Sequence, residues 1–300
     1  MTREAAMVPR AETTSYYGRP VIKAPVWKWE VPTYFFSGGL AGASAVLGCA
    51  ADAGGNRPLA RRAWLVALAA VSASPPLLVS DLGRPRRFLN MLRVLKVTSP
   101  MSVGSWVLAG TGPTTMLATA HELRGWFPRA GPLAKVVSAA LGSALATYTG
   151  VLVADTAVPV WHEGRAELPF VFAGSAMASA GAAGAVLTPR THAGPARRLL
   201  VAGAALEVGA MHIMERRLEG LAEPYRSGRS GGFTRAAKAL TAGGAALVTG
   251  RGRRSRLAAG LGGAAVLAGA VCQRWAVFEA GKASARDPRY TVEPQRARRD

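Results

Sequence analysis

Long uncharged stretches alternate with short charged clusters along this chain of 300 residues. About 20 mostly apolar residues in a helix span the hydrocarbon core of a bilayer. Six stretches rich in Ala, Gly, Leu and Val contain no Asp, Glu, Lys or Arg: Val31–Ala51, Ala63–Ser80, Val97–Ala120, Val136–Ala154, Leu168–Pro189 and Leu257–Gln273. Two weaker candidates carry one charge each, Leu199–Met214 with Glu207 and Ala236–Gly250 with Lys238. The pattern therefore predicts eight membrane-spanning helices.

The predicted fold class is all-α, a polytopic integral membrane protein whose eight transmembrane helices form two four-helix bundles. We divide the chain into an N-terminal interfacial segment (1–30), an eight-helix membrane domain (31–279) and a C-terminal tail (280–300). Small residues let transmembrane helices approach closely. Gly38–Gly42 and Gly260–Gly263 are therefore predicted to be helix contact faces.

The charge distribution favours a membrane protein over a nucleic-acid-binding protein. The chain has 37 Lys and Arg against 17 Asp and Glu, a formal net charge of +20, and half of its residues are hydrophobic. A nucleic-acid-binding protein of this charge would carry basic residues along helices or grooves, whereas here they cluster between uncharged stretches. With eight spans both termini lie on one side, where the loops hold 23 basic residues against 13 in the opposite loops. The positive-inside rule predicts cytoplasmic termini.

The side of the membrane that carries the termini, called the termini face below, also holds the unusual sequence. Trp27–Glu30, Asp81–Pro100 and Asp155–Glu163 mix Trp or Pro with charged residues, while opposite loops such as Asp52–Arg62 are short and plain. Long loops also serve as simple solvated connectors. The mixture of aromatic and charged residues nevertheless favours a docking or active face.

The few His and Cys residues exclude most redox groups of the chain's own. Haem with two His ligands needs facing histidines inside the membrane, and only His212 lies within a predicted span. Cys49 and Cys272 lie in separate spans and form no metal-binding motif, and Trp161–Glu163 lacks the second histidine of a zinc helix. We expect no haem and no metal, so electrons would pass from a partner's cofactor directly to a lipid-soluble carrier.

Eight short motifs follow one another along the chain: Tyr17–Pro20, Trp27–Glu30, Tyr34–Gly42, Asp81–Phe88, Thr98–Met101, Tyr148–Gly150, Ala154–Glu163 and Asp287–Val292. In this order they resemble the NrfD family, the membrane subunits of polysulfide-reductase-type and related molybdopterin oxidoreductases. The resemblance extends from about Tyr16 to Arg296.

The resemblance implies an eight-helix, haem-free quinone module in a bacterial plasma membrane, with menaquinone as the expected quinone. It implies a docked iron–sulfur subunit with four clusters, which connects the module to a molybdopterin catalytic subunit. The quinone head would lie near that partner, at the mouth of the first four helices. A histidine and a tyrosine that bind the ring in the family correspond to Tyr34 and Tyr148, the first as a substitution. Membrane lipid is the other expected partner, and nucleic acid is not one.

The chemistry of quinone reduction suggests further site residues. Two electrons and two protons are taken up, so the site needs hydrogen-bond donors and a proton route. The phenols of Tyr34 and Tyr148 are placed near the same membrane surface, and we add Trp27, Trp29 and Glu30 as quinone-binding candidates. The two tryptophans alternatively anchor the chain at the lipid interface. No residue is predicted to be catalytic by itself.

Three carboxylates are candidates for proton transfer. Asp81 and Asp155 end spans two and four on the termini face. Glu207 lies in the middle of a span, where a charge costs about 2.5–3.5 kcal/mol on insertion scales. It either conducts protons or forms a buried pair, for instance with Arg274. The residues expected to dock the partner are Arg84, Arg87, Trp161, His162 and Glu163.

The sequence thus predicts a quinone-binding membrane anchor of a multisubunit oxidoreductase, which passes two electrons between an iron–sulfur subunit and quinone. Cytoplasmic partners suit a formate-dehydrogenase-like complex at least as well as a periplasmic polysulfide or thiosulfate reductase. Two alternatives stay open. One is a proton-coupled secondary transporter, in which Pro75-Pro76 and Gly112-Pro113 mark broken helices, and the other is a structural anchor without a quinone site.

Overall fold

The computed structural model describes residues 20–82, 84 and 86–297, and within these ranges its regular secondary structure consists of helices, without a β-strand. Three parts of the sequence that carried predictions lie outside the described residues. These are most of the interfacial segment, including Tyr17–Arg19 of the first motif, and Gly83 and Pro85 of the Asp81–Phe88 motif.

Twelve α-helices follow one another in the described part of the chain. They are α1 (Glu30–Ala53), α2 (Arg57–Asp81), α3 (Arg87–Met91), α4 (Pro100–Arg124), α5 (Ala130–Ala154), α6 (Pro159–Glu163), α7 (Leu168–Leu187), α8 (Gly194–Arg217), α9 (Glu223–Arg226), α10 (Gly228–Thr249), α11 (Arg256–Arg286) and α12 (Arg289–Ala297). Eight of them have 20 or more residues and coincide with the eight predicted stretches. By length and composition, α1, α2, α5, α7 and α11 are apolar enough to cross a membrane.

Local sequence explains where several of these helices begin and end. The Asn56 side chain accepts a hydrogen bond from the Leu59 amide at the start of α2, at 3.3 Å. Ser255 accepts one from the Ala258 amide at the start of α11, at 3.2 Å. Such caps satisfy amides that have no partner within the first helical turn. Gly125 ends α4 with a φ of +69°, a left-handed conformation that glycine adopts without steric cost.

The long helices pack in neighbouring antiparallel pairs that alternate in direction. In the first half α1 contacts α2 and α5, and α4 contacts the same two helices. In the second half α7 contacts α8, α10 contacts α11, and α7 also contacts α11. Contacts of α1 with α7 and α11 join the two halves. The fold therefore centres on α1 and α7, the two candidate spans with the largest buried share.

Glycines set the closest helix approaches. A Cβ added to Gly42 of α1 would lie 2.1 Å from the carbonyl oxygen of Gly142 of α5. A Cβ on Gly262 of α11 would lie 2.8 Å from the carbonyl oxygen of Gly244 of α10. The prediction that both Gly-rich segments form helix contacts is confirmed at Gly42 and Gly262. Because neither position can hold a side chain, the backbones meet directly.

Two helices run through their internal prolines. Pro75 and Pro76 lie inside α2, and Pro113 lies inside α4. Neither helix is broken at these positions, so the prediction of broken helices, which belonged to the transporter alternative, is wrong. Proline is tolerated inside membrane helices when the surrounding protein satisfies the freed backbone groups.

Candidate functional site

A small cavity lies between the first four long helices, where α1 and α4 begin and α2 and α5 end. We call this side of the structure the termini end. The cavity volume is about 70 Å³. It is lined by Trp27, Val31, Tyr34, Phe35, Leu78, Asp81, Leu82, Met91, Met101, Ser105, Tyr148 and Leu152. Four residues of the predicted site, Trp27, Tyr34, Asp81 and Tyr148, are thus brought together by four different chain segments.

The hydroxyl groups of Tyr34 and Tyr148 are hydrogen-bonded to each other at this cavity. Tyr34 comes from the start of α1 and is 2% exposed, whereas Tyr148 comes from the end of α5. A hydroxyl both donates and accepts. In such a pair one phenol donates to the other, and the second phenol keeps a proton that it can donate to a ligand. The sequence placed both residues near one membrane surface but did not predict their contact.

Gly104 of α4 makes room for the ring of Tyr148. A Cβ at position 104 would lie 2.0 Å from Cε2 of that ring, so any side chain would displace the tyrosine. The sequence analysis missed this position, because one glycine among many in an apolar helix does not reveal which side chain faces it. Gly104 thus determines where the phenol of Tyr148 lies.

An open groove of about 560 Å³ lies on the other side of Tyr148, between α4 and α5. Asp155 and His162, which were predicted to act in proton transfer and docking, both line it. The lining consists of Val97, Thr98, Pro100, Val103, Ala144, Thr147, Tyr148, Val151, Ala154, Asp155, His162 and Arg165. Tyr148 lines both spaces, so its side chain stands between the enclosed cavity and the open groove.

Trp27 and Trp161 form a stacked pair beside the cavity. Their ring centroids are 5.7 Å apart with an interplanar angle of 23°. Trp161 is fully buried, and its Nε1 donates to the carbonyl oxygen of Val277 at 2.7 Å. A Cβ on Gly281 would lie 1.9 Å from the Trp161 ring. The prediction that Trp161 contacts a partner is wrong, since the ring is packed against α11 instead of lying at the surface.

Two other predicted quinone-binding residues lie outside the cavity lining. Trp29 is 56% exposed, as expected for an aromatic side chain at an interface. Glu30 is buried in the first turn of α1, and its Oε2 has no hydrogen-bond partner among the described residues. Neither side chain contributes to the cavity wall.

The connection from α2 to α4, residues 82–99, exposes both basic and apolar side chains at the termini end. Arg84 and Arg87, which were predicted to dock a partner, are exposed there. Four large apolar side chains of the same connection are at least 55% exposed: Leu89, Val94, Leu95 and Val97. The sequence analysis missed this apolar surface because Leu89, Val94 and Leu95 fall between two predicted spans, and Val97 was included in the third predicted span, whereas α4 begins only at Pro100. Of the remaining docking candidates, His162 is exposed, and Glu163 is half-buried with an ion pair to Arg165 at 3.9 Å.

Glu207 of α8 lies apart from the cavity, next to Arg274 of α11. The two side chains are 2% and 1% exposed, and they form no ion pair within 4.0 Å of each other. Arg274 Nη2 donates to the carbonyl oxygen of Phe172 at 2.9 Å, and its guanidinium lies 3.9 Å from the centre of the Phe172 ring. Glu207 Oε2 and Arg274 Nε and Nη1 have no hydrogen-bond partner among the described residues. Both side chains are thus buried without a direct contact, and the two predicted roles of Glu207, proton transfer and a buried pair, stay predictions.

The C-terminal helix α12 is held at the termini end by Tyr290. Its hydroxyl donates to the Glu223 carboxylate at 2.8 Å and accepts from Arg289 at 2.6 Å. Burial raises the pKa of Tyr290 to about 12, and the hydrogen bond to Glu223 adds to this shift. The phenol therefore stays protonated at physiological pH and fixes α12 to α9.

These features define a class, the helical membrane proteins with a mostly apolar cavity, containing a few polar groups, at the mouth of a helix bundle. The sequence model of the family described as "Polysulphide reductase, NrfD" matches residues 20–215. The chain therefore belongs to the NrfD family, and this membership identifies it as a membrane subunit of a redox complex. A search of the curated proteins finds no match to the chain. The matched range contains every residue that lines the cavity and ends before α9.

Proposed function

We propose that the chain is the quinone-binding subunit of a multisubunit oxidoreductase and that the quinone head binds at Tyr34 and Tyr148. The observation that carries the proposal is the meeting of two phenol hydroxyls in a cavity whose lining is mostly apolar. The cavity opens at the same end of the molecule as the exposed 82–99 connection. A lipid-soluble ligand that accepts hydrogen bonds from the two phenols at that end would also lie close to the cofactor of a docked partner.

The chemistry of the lining fits a quinone, while its volume limits how the ring enters. Apolar walls with few polar groups are typical of small-molecule sites. The enclosed volume of about 70 Å³ corresponds to roughly two water molecules, less than a quinone ring requires. The adjoining groove of about 560 Å³ is large enough. We therefore place the ring at the Tyr148 side of the groove, where rotation of that side chain merges the two spaces.

The residues of the chain would then divide the work as follows. A bound quinone or quinol supplies the two-electron, two-proton chemistry. The Tyr148 hydroxyl donates a hydrogen bond to a ring oxygen, and Tyr34 holds that phenol in place. Asp81 in the cavity and Asp155 in the groove exchange protons with water at the surface. Glu207 lies outside this site, so any role of Glu207 in proton movement belongs to a separate path through the second half of the molecule.

The partner would bind over the 82–99 connection. Arg84 and Arg87 supply positive charge beside the four exposed apolar side chains, a combination typical of protein interfaces. An iron–sulfur subunit with four clusters, itself bound to a molybdopterin catalytic subunit, fits this arrangement because the chain has no redox group of its own in this proposal. A formate-dehydrogenase-like complex and a polysulfide or thiosulfate reductase are the candidate assemblies.

The proposed topology has eight membrane spans in two four-helix bundles. To the five apolar helices it adds α4, α8 and α10, which have suitable lengths and pack among them. The basic loops place both termini in the cytoplasm of a bacterium, with menaquinone in the surrounding plasma membrane as the expected quinone.

Replacement of Tyr148 by Phe in the complex purified from membranes tests the proposal. We expect the rate of reaction with a soluble naphthoquinone to fall about tenfold or more, because one hydrogen bond to the reacting oxygen is lost. Tyr225→Phe is the control, since Tyr225 is a buried tyrosine that lies outside the cavity.

Unchanged quinone kinetics in Tyr148→Phe would remove this residue from the site. An equal loss in Tyr225→Phe would show that the effect arises from folding. Purification in mild detergent tests the wider proposal, because the absence of a stoichiometric iron–sulfur subunit would exclude the anchor function altogether.

A further inference from the structure

A large polar cleft lies at the end of the molecule opposite the cavity, where α1 and α4 end and α2 and α5 begin. Its volume is about 690 Å³. Four arginines, one lysine and one histidine line it, against two carboxylates. The sequence analysis described the loops at this end as plain, because the Arg57–Arg62 segment and the α4–α5 turn are separate in sequence and meet only in the fold.

The two carboxylates of the cleft both pair with the same lysine. Lys135 is 5% exposed, and its Nζ lies 2.8 Å from Asp52 Oδ2 and 2.5 Å from Glu122 Oε2. A buried cation held by two carboxylates satisfies all three groups locally. The cluster of Asp52, Glu122 and Lys135 keeps one net negative charge, so it offsets the charge of only one of the four arginines that line the same space.

None of the four arginines has an anionic partner among the described residues, and three of them have no hydrogen-bond partner there either. Arg57, Arg61 and Arg124 are exposed and form no ion pair within the part of the chain that the structure describes. Arg62, in contrast, is held by the carbonyl oxygens of Leu187 and Pro58 at 3.1 and 2.9 Å. Guanidinium groups match the geometry of phosphate oxygens. Three unpaired guanidinium groups around one cleft thus indicate a ligand with a phosphate group.

The surroundings of the cleft indicate that this phosphate belongs to a lipid. Trp126 and Phe127 in the α4–α5 turn are 60% and 51% exposed, and Leu133 and Val136 at the start of α5 are 65% and 59% exposed. Exposed aromatic side chains at the end of a membrane-spanning helix mark the headgroup level. A phosphate in the cleft would leave acyl chains along Leu133 and Val136. A soluble phosphate compound would not use this apolar surface.

We propose that this cleft binds the phosphate headgroup of an anionic phospholipid through Arg57, Arg61 and Arg124. Basic pockets between transmembrane helices are known to take such headgroups. The bound lipid would join the α1–α2 and α4–α5 connections, which support the four helices of the cavity from the opposite end. The proposal does not depend on quinone binding.

Titration of the full-length protein with phosphatidylglycerol, followed by native mass spectrometry, tests the proposal. Phosphatidylcholine with the same acyl chains is the reference lipid. We expect tighter binding of phosphatidylglycerol by about tenfold or more, given the contribution of each basic side chain near a membrane surface. The variant with Arg57→Gln, Arg61→Gln and Arg124→Gln is expected to lose this preference.

Two further variants separate a specific site from general surface charge and from misfolding. The first carries Arg251→Gln, Arg253→Gln and Arg254→Gln, which removes equal charge from exposed positions at the same end and should keep the preference. The second carries Lys at positions 57, 61 and 124 and should recover much of it. Retained preference in the Gln variant of the cleft, or equal loss in both Gln variants, would overturn the proposal. Displacement of phosphatidylglycerol by millimolar inorganic phosphate would also overturn it, because the cleft would then be a site for free phosphate.

Discussion

The two polar sites inside the helical part of the molecule satisfy their polar atoms in opposite ways. At the cavity, two neutral hydroxyls, those of Tyr34 and Tyr148, bind each other. In α8 and α11, the buried ionisable side chains of Glu207 and Arg274 leave three polar atoms without a hydrogen-bond partner among the described residues. Both sites lie in largely apolar surroundings, so the difference does not come from composition.

This difference separates a site that can open from a site that cannot. A hydrogen bond between two hydroxyls contributes about 1 kcal/mol, so a ligand with its own acceptor can replace it. Loss of one member of a buried charge pair leaves the other uncompensated, which costs about 3–5 kcal/mol. The cavity is therefore suited to ligand exchange, and the predicted charge pair is suited to fixing α7, α8 and α11 relative to one another.

Removal of the buried cation should have the largest effect. We expect Arg274→Met to lower the free energy of unfolding by about 3–5 kcal/mol, since Glu207 would remain buried without a cation. Unfolding by a denaturing detergent in mixed micelles measures this. The double variant Arg274→Met with Glu207→Gln should recover most of the loss, and a single variant within about 1 kcal/mol of the native protein would contradict the pairing.

Filling the space opposite Tyr148 should have the next largest effect. Gly104→Ala is expected to cost about 1–3 kcal/mol, because its Cβ overlaps the tyrosine ring, and to lower quinone activity as well. The same unfolding measurement and a naphthoquinone assay report both. Gly112→Ala on the same helix is the control, since nothing lies within 4 Å of its added Cβ. Equal behaviour of the two variants would argue against a positioning role of Gly104.

Removal of a single hydroxyl should have a smaller effect. We expect Tyr34→Phe to lower the free energy of unfolding by about 1 kcal/mol through loss of the bond to Tyr148. Tyr225→Phe is expected to be neutral or slightly stabilising, because the buried hydroxyl of Tyr225 has no hydrogen-bond partner in the described part of the chain. A larger loss in Tyr225→Phe than in Tyr34→Phe would show that the phenol pair contributes nothing to stability.

Ionisation of Tyr290 should have the smallest effect, and this effect depends on pH. The folded-state pKa of Tyr290 is raised to about 12 from its ordinary value of 10, so the neutral phenol holds α12 fully below pH 10. The contact should be lost as pH rises from 10 to about 12. A spin label on Gln295→Cys would report this as increased mobility. In the Tyr290→Phe variant the increase in spin-label mobility between pH 10 and about 12 should disappear. If this variant keeps the same pH profile of mobility, the change arises from another ionisable group.

The sequence was sufficient for the helices and for part of the site. Long apolar stretches, six of them uncharged and two with one charge each, predicted the long helices, since insertion of a helix into lipid depends on local composition. Tyr34 and Tyr148 were found from their chemistry and from a family resemblance. Trp161 was misjudged because its position in a mixed loop gave no sign that α11 would cover it. Gly104 was missed because its meaning depends on a ring that lies on another helix.

The two halves also differ in what the sequence could reveal about charge. Glu207 was visible as a lone acid within an apolar stretch, and Arg274 as a lone base within another. The cleft of Arg57, Arg61 and Arg124 was not visible, because its residues looked like ordinary loop charges. Charged residues at helix ends can be recognised as one site only when the fold brings those ends together.

The direct backbone contact between Gly42 and Gly142 makes the phenol pair depend on a distant point. Tyr34 lies eight residues before Gly42 and Tyr148 six residues after Gly142, so both rings lie roughly 9–12 Å from the crossing, on the same side of it. The crossing therefore sets the distance between α1 and α5, and with it the distance between the two hydroxyls. A single methyl group at this crossing would move the two hydroxyls apart without touching either tyrosine.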